Sequence, residues 1–216
     1  VSNPNQVVRL NAAFLADALP ALSSLVAELE EEGDIELAGA APSGMAGDCC
    51  AALQEIRESS DRIQRIVQDL KELATGGPGN QRGWTDTNQV VLSVARLARH
   101  FVARATDAFS LELAEGLPPV WANRVELEQV VLNLVQNAAH SLTSRDCRLW
   151  IAMGRSASGD RVMIEVCDEG HGIRPEYLGR LTEPFFTTRR GHGGTGLGLS
   201  IADRIVKAHG GELRLE

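Results

Sequence analysis

The stretch that decides the fold reads Gly191-His-Gly-Gly-Thr-Gly-Leu-Gly-Leu-Ser200, a glycine-rich loop that runs into a predicted helix. Glycines let backbone N–H groups approach an anion closely, and the N-terminus of the following helix adds a favourable dipole. The loop is not a P-loop, because no Lys-Ser/Thr pair closes it. It is not a Rossmann fingerprint either, since it lies at the end of its domain. Taken alone, it also fits a surface loop without a ligand.

Two further motifs precede this loop. Glu183-Pro-Phe-Phe-Thr-Thr-Arg-Arg190 contains two phenylalanines that can anchor a loop and two arginines that can pair with phosphate oxygens. Asp168-Glu-Gly-His-Gly-Ile173 follows a predicted strand, so its carboxylate can accept a hydrogen bond from an exocyclic amine. Its glycines allow the backbone to approach a flat ring. Taken alone, the Glu183–Arg190 motif also fits a hydrophobic latch with solvated charges. The Asp168–Ile173 motif alone also fits an Asx turn.

A fourth motif, Asn133-Leu-Val-Gln-Asn-Ala-Ala-His140, lies on a predicted helix. Spacings of four and three residues put Asn133, Asn137 and His140 on one helical face. A carboxamide oxygen suits Mg²⁺, which usually keeps waters and phosphate oxygens as its other ligands. Solvated or structural asparagines fit the same pattern.

In this order and spacing, the four motifs resemble the N, G1, F and G2 boxes of the GHKL ATP-binding fold, in its histidine-kinase branch. The match covers residues 84–216. The resemblance implies that Asn137 holds Mg²⁺ and that Asp168 binds the adenine amino group. It also implies an adenine pocket lined by Gly170 and Gly172.

The same resemblance implies a lid over the ATP phosphates, formed by Gly194, Gly196 and Gly198. His140 and Arg189 occupy positions where the family often has a basic residue near the phosphates. The other residues that the resemblance assigns to the ATP site are Asn133, Ile173, Thr188, Thr195, Leu197 and Leu199.

Upstream, the apolar pattern predicts a helical hairpin over residues 1–76. Its first helix covers 7–29 and is interrupted at Pro20, and residues 30–48 form a loop. The second helix covers 48–73 with a heptad seam. The apolar stripe of the first helix is Val7, Leu10, Phe14, Ala18, Leu22, Leu25 and Leu29; the seam of the second is Leu53, Ile56, Ser60, Ile63, Val67 and Leu70. Two helices bury too little alone, so we expect a homodimeric four-helix bundle.

A breaker-rich linker at 77–83 separates this hairpin from an α+β domain at 84–216, predicted as a sandwich with helices on one face of a mixed sheet. Asp86 or Thr87 caps the first helix of that domain. The predicted helices are 87–105, 124–142 and 199–209, and the predicted strands are 109–114, 149–153, 162–166 and 212–215.

The N-terminus carries a second resemblance. Val1-Ser-Asn-Pro4 resembles the tail of the family's H box, and Ser59–Leu70 resembles the second helix of its dimerisation hairpin. This register puts the phosphoacceptor histidine two residues before Val1, so we do not expect residues 1–216 to autophosphorylate. Asn3 would then orient water in a phosphatase reaction. The family usually adds a strand after Glu216, and we expect a piece of a longer protein.

These features predict the catalytic core of a two-component sensor histidine kinase. The resemblance implies that the γ-phosphate of Mg-ATP passes to a hairpin histidine and then to a response-regulator aspartate. Two alternatives stay open: a GHKL ATPase and a non-catalytic nucleotide-sensing dimer. The ATPases typically carry a glutamate base four residues before the Mg²⁺ asparagine, and here that position is Asn133.

The amino-acid composition indicates the kind of core and excludes some classes of function. Hydrophobic residues make up 44% of the chain and aromatic residues only 4%, so a core of aliphatic residues and alanine is expected. A net charge of −8 argues against a nucleic-acid binder. Four cysteines without a CxxC pattern predict reduced structural thiols. No apolar run is long enough to span a membrane, so we expect a cytoplasmic segment whose parent protein could be membrane-anchored.

Overall fold

The computed structural model describes residues 4–31, 49–57, 59–61, 63–64, 67, 81–156, 158–189 and 194–216. The chain divides into two compact units, an N-terminal unit of Val1–Gln68 and a C-terminal unit of Asp69–Glu216. Several predictions fall outside the described residues: Asn3, the loop at 32–48, Leu70, the linker at 77–80, Arg190 and the loop start at 191–193. All four cysteines are free thiols.

The N-terminal unit contains two helical segments. Helix α1 spans Pro4–Glu31 and includes Pro20, so the interruption predicted there does not end the helix. The predicted second helix is confirmed at residues 49–57, 59–61, 63–64 and 67, which are helical. In the described part of the chain, no helix is long and apolar enough to cross a membrane.

A buried polar contact joins the two helical segments. The Ser60 side chain is only 3% exposed. Its hydroxyl oxygen lies 2.5 Å from Asn5 Oδ1. Asn5 Nδ2 donates to the Ser60 carbonyl at 2.6 Å. A buried polar pair of this kind favours one axial register of the two helices over its neighbours.

Much of the apolar stripe and seam faces solvent in the single chain. Leu10 and Phe14 are 71% and 70% exposed, and Ile63 and Val67 are 53% and 58% exposed. Large aliphatic and aromatic side chains at these exposures give the N-terminal unit an uncovered apolar surface.

The C-terminal unit is an α+β sandwich, as predicted. Its helices are α2 (Thr87–Ala105), α3 (Arg124–Ser141), α4 (Pro175–Leu178) and α5 (Gly198–Ala208), and its strands are β1 (Gly83–Thr85), β2 (Ala108–Leu113), β3 (Val120–Ala122), β4 (Arg148–Arg155) and β5 (Val162–Asp168). Strands β1 and β3 and helix α4 were not predicted from the sequence. Strand β1 begins at the last residue of the predicted linker.

The main sheet has the strand order β2-β4-β5 and is mixed, as predicted. Strand β4 pairs in parallel with β2 and antiparallel with β5. Alternate residues of β4, namely Leu149, Ile151 and Met153, are buried beneath the helices. Strands β1 and β3 form a separate antiparallel ribbon.

Two helices begin at side-chain caps. Asp86 caps α2 and accepts the Asn88 N–H at 2.9 Å, which confirms the predicted start. Asn123 caps α3 in the same manner and accepts the Val125 N–H at 3.0 Å. These caps satisfy N–H groups that a helix leaves without intrahelical partners.

The last helix ends where Gly210 adopts a φ of +73°, so the predicted helix stop is confirmed. The predicted strand at 212–215 is wrong, because these residues belong to no strand of the described structure. Leu213 instead packs on the apolar cluster of α5, so it is held by side-chain burial and not by a backbone ladder.

His209 joins the end of α5 to the start of α3. Its Nε2 accepts the backbone N–H of Asn123 at 3.0 Å. The other ring nitrogen, Nδ1, therefore carries the proton and donates to the Ile205 carbonyl at 2.8 Å. The imidazole thus fixes both helices through one nearly buried side chain.

We predict that His209→Ala lowers the free energy of unfolding by about 1–3 kcal/mol, because the buried N–H of Asn123 loses this acceptor. Urea denaturation followed by circular dichroism measures the change. His100→Ala, which removes an exposed histidine from α2, is the matched control and should change stability little. Equal stability of the two variants would contradict this role for His209.

Candidate functional site

Helix α3 carries the Asn133–His140 motif on a strip between two buried faces. Val131 and Val135 pack into the main core, and Val130 packs into the α5 cluster. Asn133 is half-buried, whereas Asn137 and His140 are exposed. The two-sided burial leaves a narrow polar strip, and the exposed Asn137 side chain lies on it. A carboxamide oxygen suits a hard cation.

Asn133 connects α3 to the glycine-rich loop. Its Nδ2 donates to the carbonyl of Gly198, the first residue of α5, at 3.0 Å. A carboxylate in place of this amide has no proton to donate to a carbonyl oxygen. The side chain at this position therefore acts as a donor that holds the start of α5 against α3.

Helix α5 begins without a side-chain cap. Leu197 occupies the N-cap position, and no side chain among the described residues caps the first N–H groups of the helix. These N–H groups therefore remain available at the end of the glycine-rich loop. With the helix dipole they form a favourable environment for an anion.

Asp168 is the last residue of β5 and is exposed. Its Oδ1 accepts the N–H of Gly170 at 2.9 Å. The hydroxyl of Ser141, the last residue of α3, donates to the same oxygen at 2.5 Å. The predicted adenine-binding carboxylate therefore lies directly beside the end of the Asn137 helix.

The loop after β5 is pressed against α3. His171 N donates to the Ser141 carbonyl at 3.1 Å. A Cβ atom at Gly170 would lie 2.1 Å from Ser141 Oγ and 2.5 Å from Ser141 O, so only glycine fits. Gly172 has a φ of +67° and open space around it. Its glycine requirement is conformational, whereas that of Gly170 is steric.

The phenylalanine motif is joined to the glycine-rich loop through backbone atoms. Phe185 N donates to the Gly196 carbonyl at 2.8 Å. Phe185 has a φ of +68°, which is unusual for a bulky residue, and it is 52% exposed. A Cβ at Gly196 would lie 2.5 Å from the Phe185 carbonyl carbon, so this close approach excludes side chains.

A second backbone contact joins the phenylalanine motif to the glycine-rich loop. Gly194 N donates to the Arg189 carbonyl at 3.1 Å. Arg189 N donates to the Thr187 hydroxyl at 3.1 Å. Arg189 is half-buried, and no carboxylate pairs with its guanidinium among the described residues. A phosphate is a suitable partner for such a group.

Aromatic and basic side chains support the segment before the loop. Phe186 packs on Tyr177 of α4 with ring centroids 5.6 Å apart. The Arg180 guanidinium lies 4.5 Å from the Phe186 ring centroid. Arg180 also pairs with Glu183 at 3.2 Å. These contacts hold the phenylalanine motif beside α4.

The thiol beside Asp168 is protected from ionisation. Burial raises the pKa of Cys167, and the nearby carboxylates of Glu165, Asp168 and Glu112 raise this pKa further. Cys167 therefore remains a neutral thiol at physiological pH, consistent with the predicted structural role.

The four motifs are thus connected to one another by pairwise contacts. Described contacts connect α3 to the loop after β5, α3 to the start of α5, and the phenylalanine motif to the glycine-rich loop. No described hydrogen bond joins Asn137 to the other motifs. Ser141 was not predicted from the sequence, although its position four residues after Asn137 puts it on the same helical face. The backbone role of Phe185 was not predicted either.

Such a sandwich, with these motifs gathered around one helix, is a fold of the GHKL type. Residues 122–216 match the family described as histidine kinase-, DNA gyrase B- and HSP90-like ATPase. The catalytic domain of the histidine kinase ThkA is similar at 29% identity and a TM-score of 0.52, over 59% of this chain and 82% of that domain.

Relatives match across the whole chain. A putative sensor protein of Shewanella frigidimarina is 29% identical, over all of this chain and 32% of its own length. Sensor histidine kinase ZraS of Salmonella typhimurium is 31% identical, over 81% of this chain and 36% of its own length. The C-terminal part of the chain therefore carries the domain of the histidine kinase-, DNA gyrase B- and HSP90-like ATPases, and the chain as a whole is similar to sensor histidine kinases. It spans about a third of the length of these curated relatives.

A further structure of ThkA, in complex with the response regulator protein TrrA, is similar at 20% identity with a TM-score of 0.59. This match covers 94% of the present chain and 54% of that one. At this identity the likeness concerns the fold.

We predict that Gly196→Ala disrupts the contact with Phe185, because the new Cβ meets backbone atoms and the φ of +71° disfavours alanine. The amide of Phe185 should exchange with deuterium faster than in the original protein. In Gly198→Ala, the new Cβ would lie 3.7 Å from Asn133 Cγ, an ordinary contact, so this control should leave that amide protected. Unchanged exchange in Gly196→Ala would contradict the steric argument.

Proposed function

We propose that this chain is the ATP-binding and dimerising core of a histidine kinase that transfers the γ-phosphate of ATP to a histidine. The observation that carries the proposal is the linkage of the four motifs around α3. It brings a carboxylate for an amine, an uncapped helix N-terminus for phosphates and an amide oxygen for a cation onto one unit.

In this proposal the adenine lies against the loop after β5. Asp168 accepts a hydrogen bond from the adenine amino group. Gly170 and Gly172 permit the close approach of the ring, and Ile173, which is 38% exposed, contributes apolar contact. The phosphates lie at the start of α5, where the N–H groups of Leu199 and Ser200 receive them.

Asn137 is proposed to hold Mg²⁺. The fit rests on its exposed carboxamide, for which no hydrogen-bond partner occurs in the described part of the chain. The cation would neutralise phosphate charge during transfer. Arg189 adds positive charge and His140 adds a ring N–H donor near the phosphates, while Thr188, Thr195 and the glycines at 194, 196 and 198 form the lid. Positioning and charge stabilisation are the main requirements of such a transfer.

The contact of Asn133 favours a kinase over an ATPase. A hydrolase needs a base that takes a proton from water, and a neutral carboxamide does not serve as that base. The Asn133 amide also donates to Gly198 O. The Asn133 side chain therefore holds the start of α5 against α3.

The exposed apolar surface of the N-terminal unit supports a homodimer. A second copy covers this surface in a four-helix bundle, and Asn5 and Ser60 set the register within each hairpin. We also propose that the phosphorylated histidine passes its phosphate to a response-regulator aspartate. The complex of the similar kinase ThkA with the response regulator TrrA supports this partner class. Asn3 is proposed to orient the water that hydrolyses the aspartyl phosphate of the response regulator, which releases inorganic phosphate.

We predict that Asp168→Asn weakens Mg-ATP binding about tenfold or more, because an amide replaces the charged acceptor of the adenine amine. Isothermal titration calorimetry measures this affinity. Glu165→Gln removes the same charge from an exposed position on β5 and should bind normally. Equal affinities for both variants would remove Asp168 from the adenine role.

We predict that Ile63→Glu splits the dimer, since it places a charge in the apolar seam. Light scattering coupled to size-exclusion chromatography should find a dimer for the original chain and a monomer for the variant. Ala51→Glu, on the opposite side of the second helical segment, should remain dimeric. An original chain that is monomeric at micromolar concentrations would contradict the bundle.

A further inference from the structure

Ser141 occupies the junction between α3 and the loop after β5. Its Oγ lies 2.5 Å from Asp168 Oδ1 and 2.7 Å from the Ala138 carbonyl. A hydroxyl has one proton, and both neighbours are acceptors, so the proton is shared between them or donated to one at a time. The bond to Ala138 keeps the hydroxyl at the helix end, where it faces the carboxylate.

The orientation of the Asp168 carboxylate follows from two donors on one oxygen. Gly170 N donates to Oδ1 at 2.9 Å, and the Ser141 hydroxyl donates to the same oxygen at 2.5 Å when its single proton is directed away from the Ala138 carbonyl. No donor to Oδ2 occurs among the described residues. A carboxylate bound in this way has one oxygen engaged by the protein and the other turned outward as an acceptor.

Backbone atoms also join the loop after β5 to the end of α3. His171 N donates to Ser141 O at 3.1 Å, and the hydroxyl fills the space in which a Gly170 side chain would otherwise lie. The loop and the helix end are therefore held together at three points: the Ser141 hydroxyl, the Ser141 carbonyl and the close approach of Gly170. An apolar side chain at position 141 would keep the contact of the backbone carbonyl and lose the contact of the hydroxyl.

We propose that Ser141 is a positioning residue that sets nucleobase selectivity through Asp168. The inference rests on the proposed adenine role of Asp168. Adenine presents an amine donor at C6, whereas hypoxanthine presents a carbonyl acceptor at the same position. A fixed, outward Oδ2 attracts the amine and repels the carbonyl. Without the Ser141 hydroxyl the carboxylate rotates, and the distinction between the two bases weakens.

The test compares the binding of Mg-ATP and Mg-ITP by calorimetry. We expect Ser141→Ala to weaken ATP binding about three- to tenfold with little effect on ITP, because a hydrogen bond to a charged group is lost. Ser141→Thr, which retains the hydroxyl, should restore the preference. Ser144→Ala is a control at an exposed serine near α3. Ser141→Cys keeps the side-chain volume with a weak donor, and replaces the alanine variant if that variant is unfolded.

Two results would overturn the inference alone: an unchanged ATP/ITP ratio in Ser141→Ala, or an equal loss of both nucleotides, which indicates a purely structural role. In either case a loss of ATP binding in Asp168→Asn would leave the proposed function intact. Failure of the original chain to bind ATP, or normal binding by Asp168→Asn, would overturn the adenine role and this inference together.

Discussion

The structure of the C-terminal unit depends on the burial of α3 on two sides. Val131 and Val135 face the sheet and α2, while Val130 faces α5. The free energy gained by burying apolar side chains in two clusters therefore fixes the rotation of this helix about its axis. That rotation decides where Asn133, Asn137 and Ser141 point, since they are four residues apart. A small rotation of α3 would displace all three polar groups at once.

The same helix separates the roles of similar residues. Asn133 is half-buried and donates to Gly198, so it holds the start of α5 against α3. Asn137 is exposed and leaves its carboxamide for a ligand. Ser141 reaches the carboxylate at the end of β5. Three turns of one helix thus carry the residue that contacts the start of α5, the residue proposed to bind the cation and the residue that contacts the proposed adenine-binding carboxylate.

Local signals predicted most of the fold. Asp86 followed by an apolar period predicted α2, and the alternation around Leu149, Ile151 and Met153 predicted β4. Strands of three residues, such as Gly83–Thr85, are too short to show a period, so β1 and β3 were missed. The strand predicted at 212–215 failed because alternation describes which side chains are buried and does not reveal whether a backbone partner is present.

The motifs of the site were predicted from residue order, and the contacts between them were not. The left-handed conformation of Phe185 follows from its bond to Gly196, and the steric need for Gly170 follows from Ser141. Both are tertiary effects between segments about 10 to 30 residues apart, which no local period encodes. The register of Asn5 against Ser60 likewise depends on a contact between two helices.

The central claim is that the four motifs serve phosphoryl transfer to a histidine. The most direct measurement incubates the chain, extended at its N-terminus by a helical segment that ends in a His-Glu pair ahead of Val1, with γ-labelled ATP and Mg²⁺. The account predicts a labelled protein whose phosphate is acid-labile and base-stable, as a phosphoramidate is, and no label in Asn137→Ala although the dimer persists. Steady release of inorganic phosphate without a labelled protein would contradict the account and indicate an ATPase.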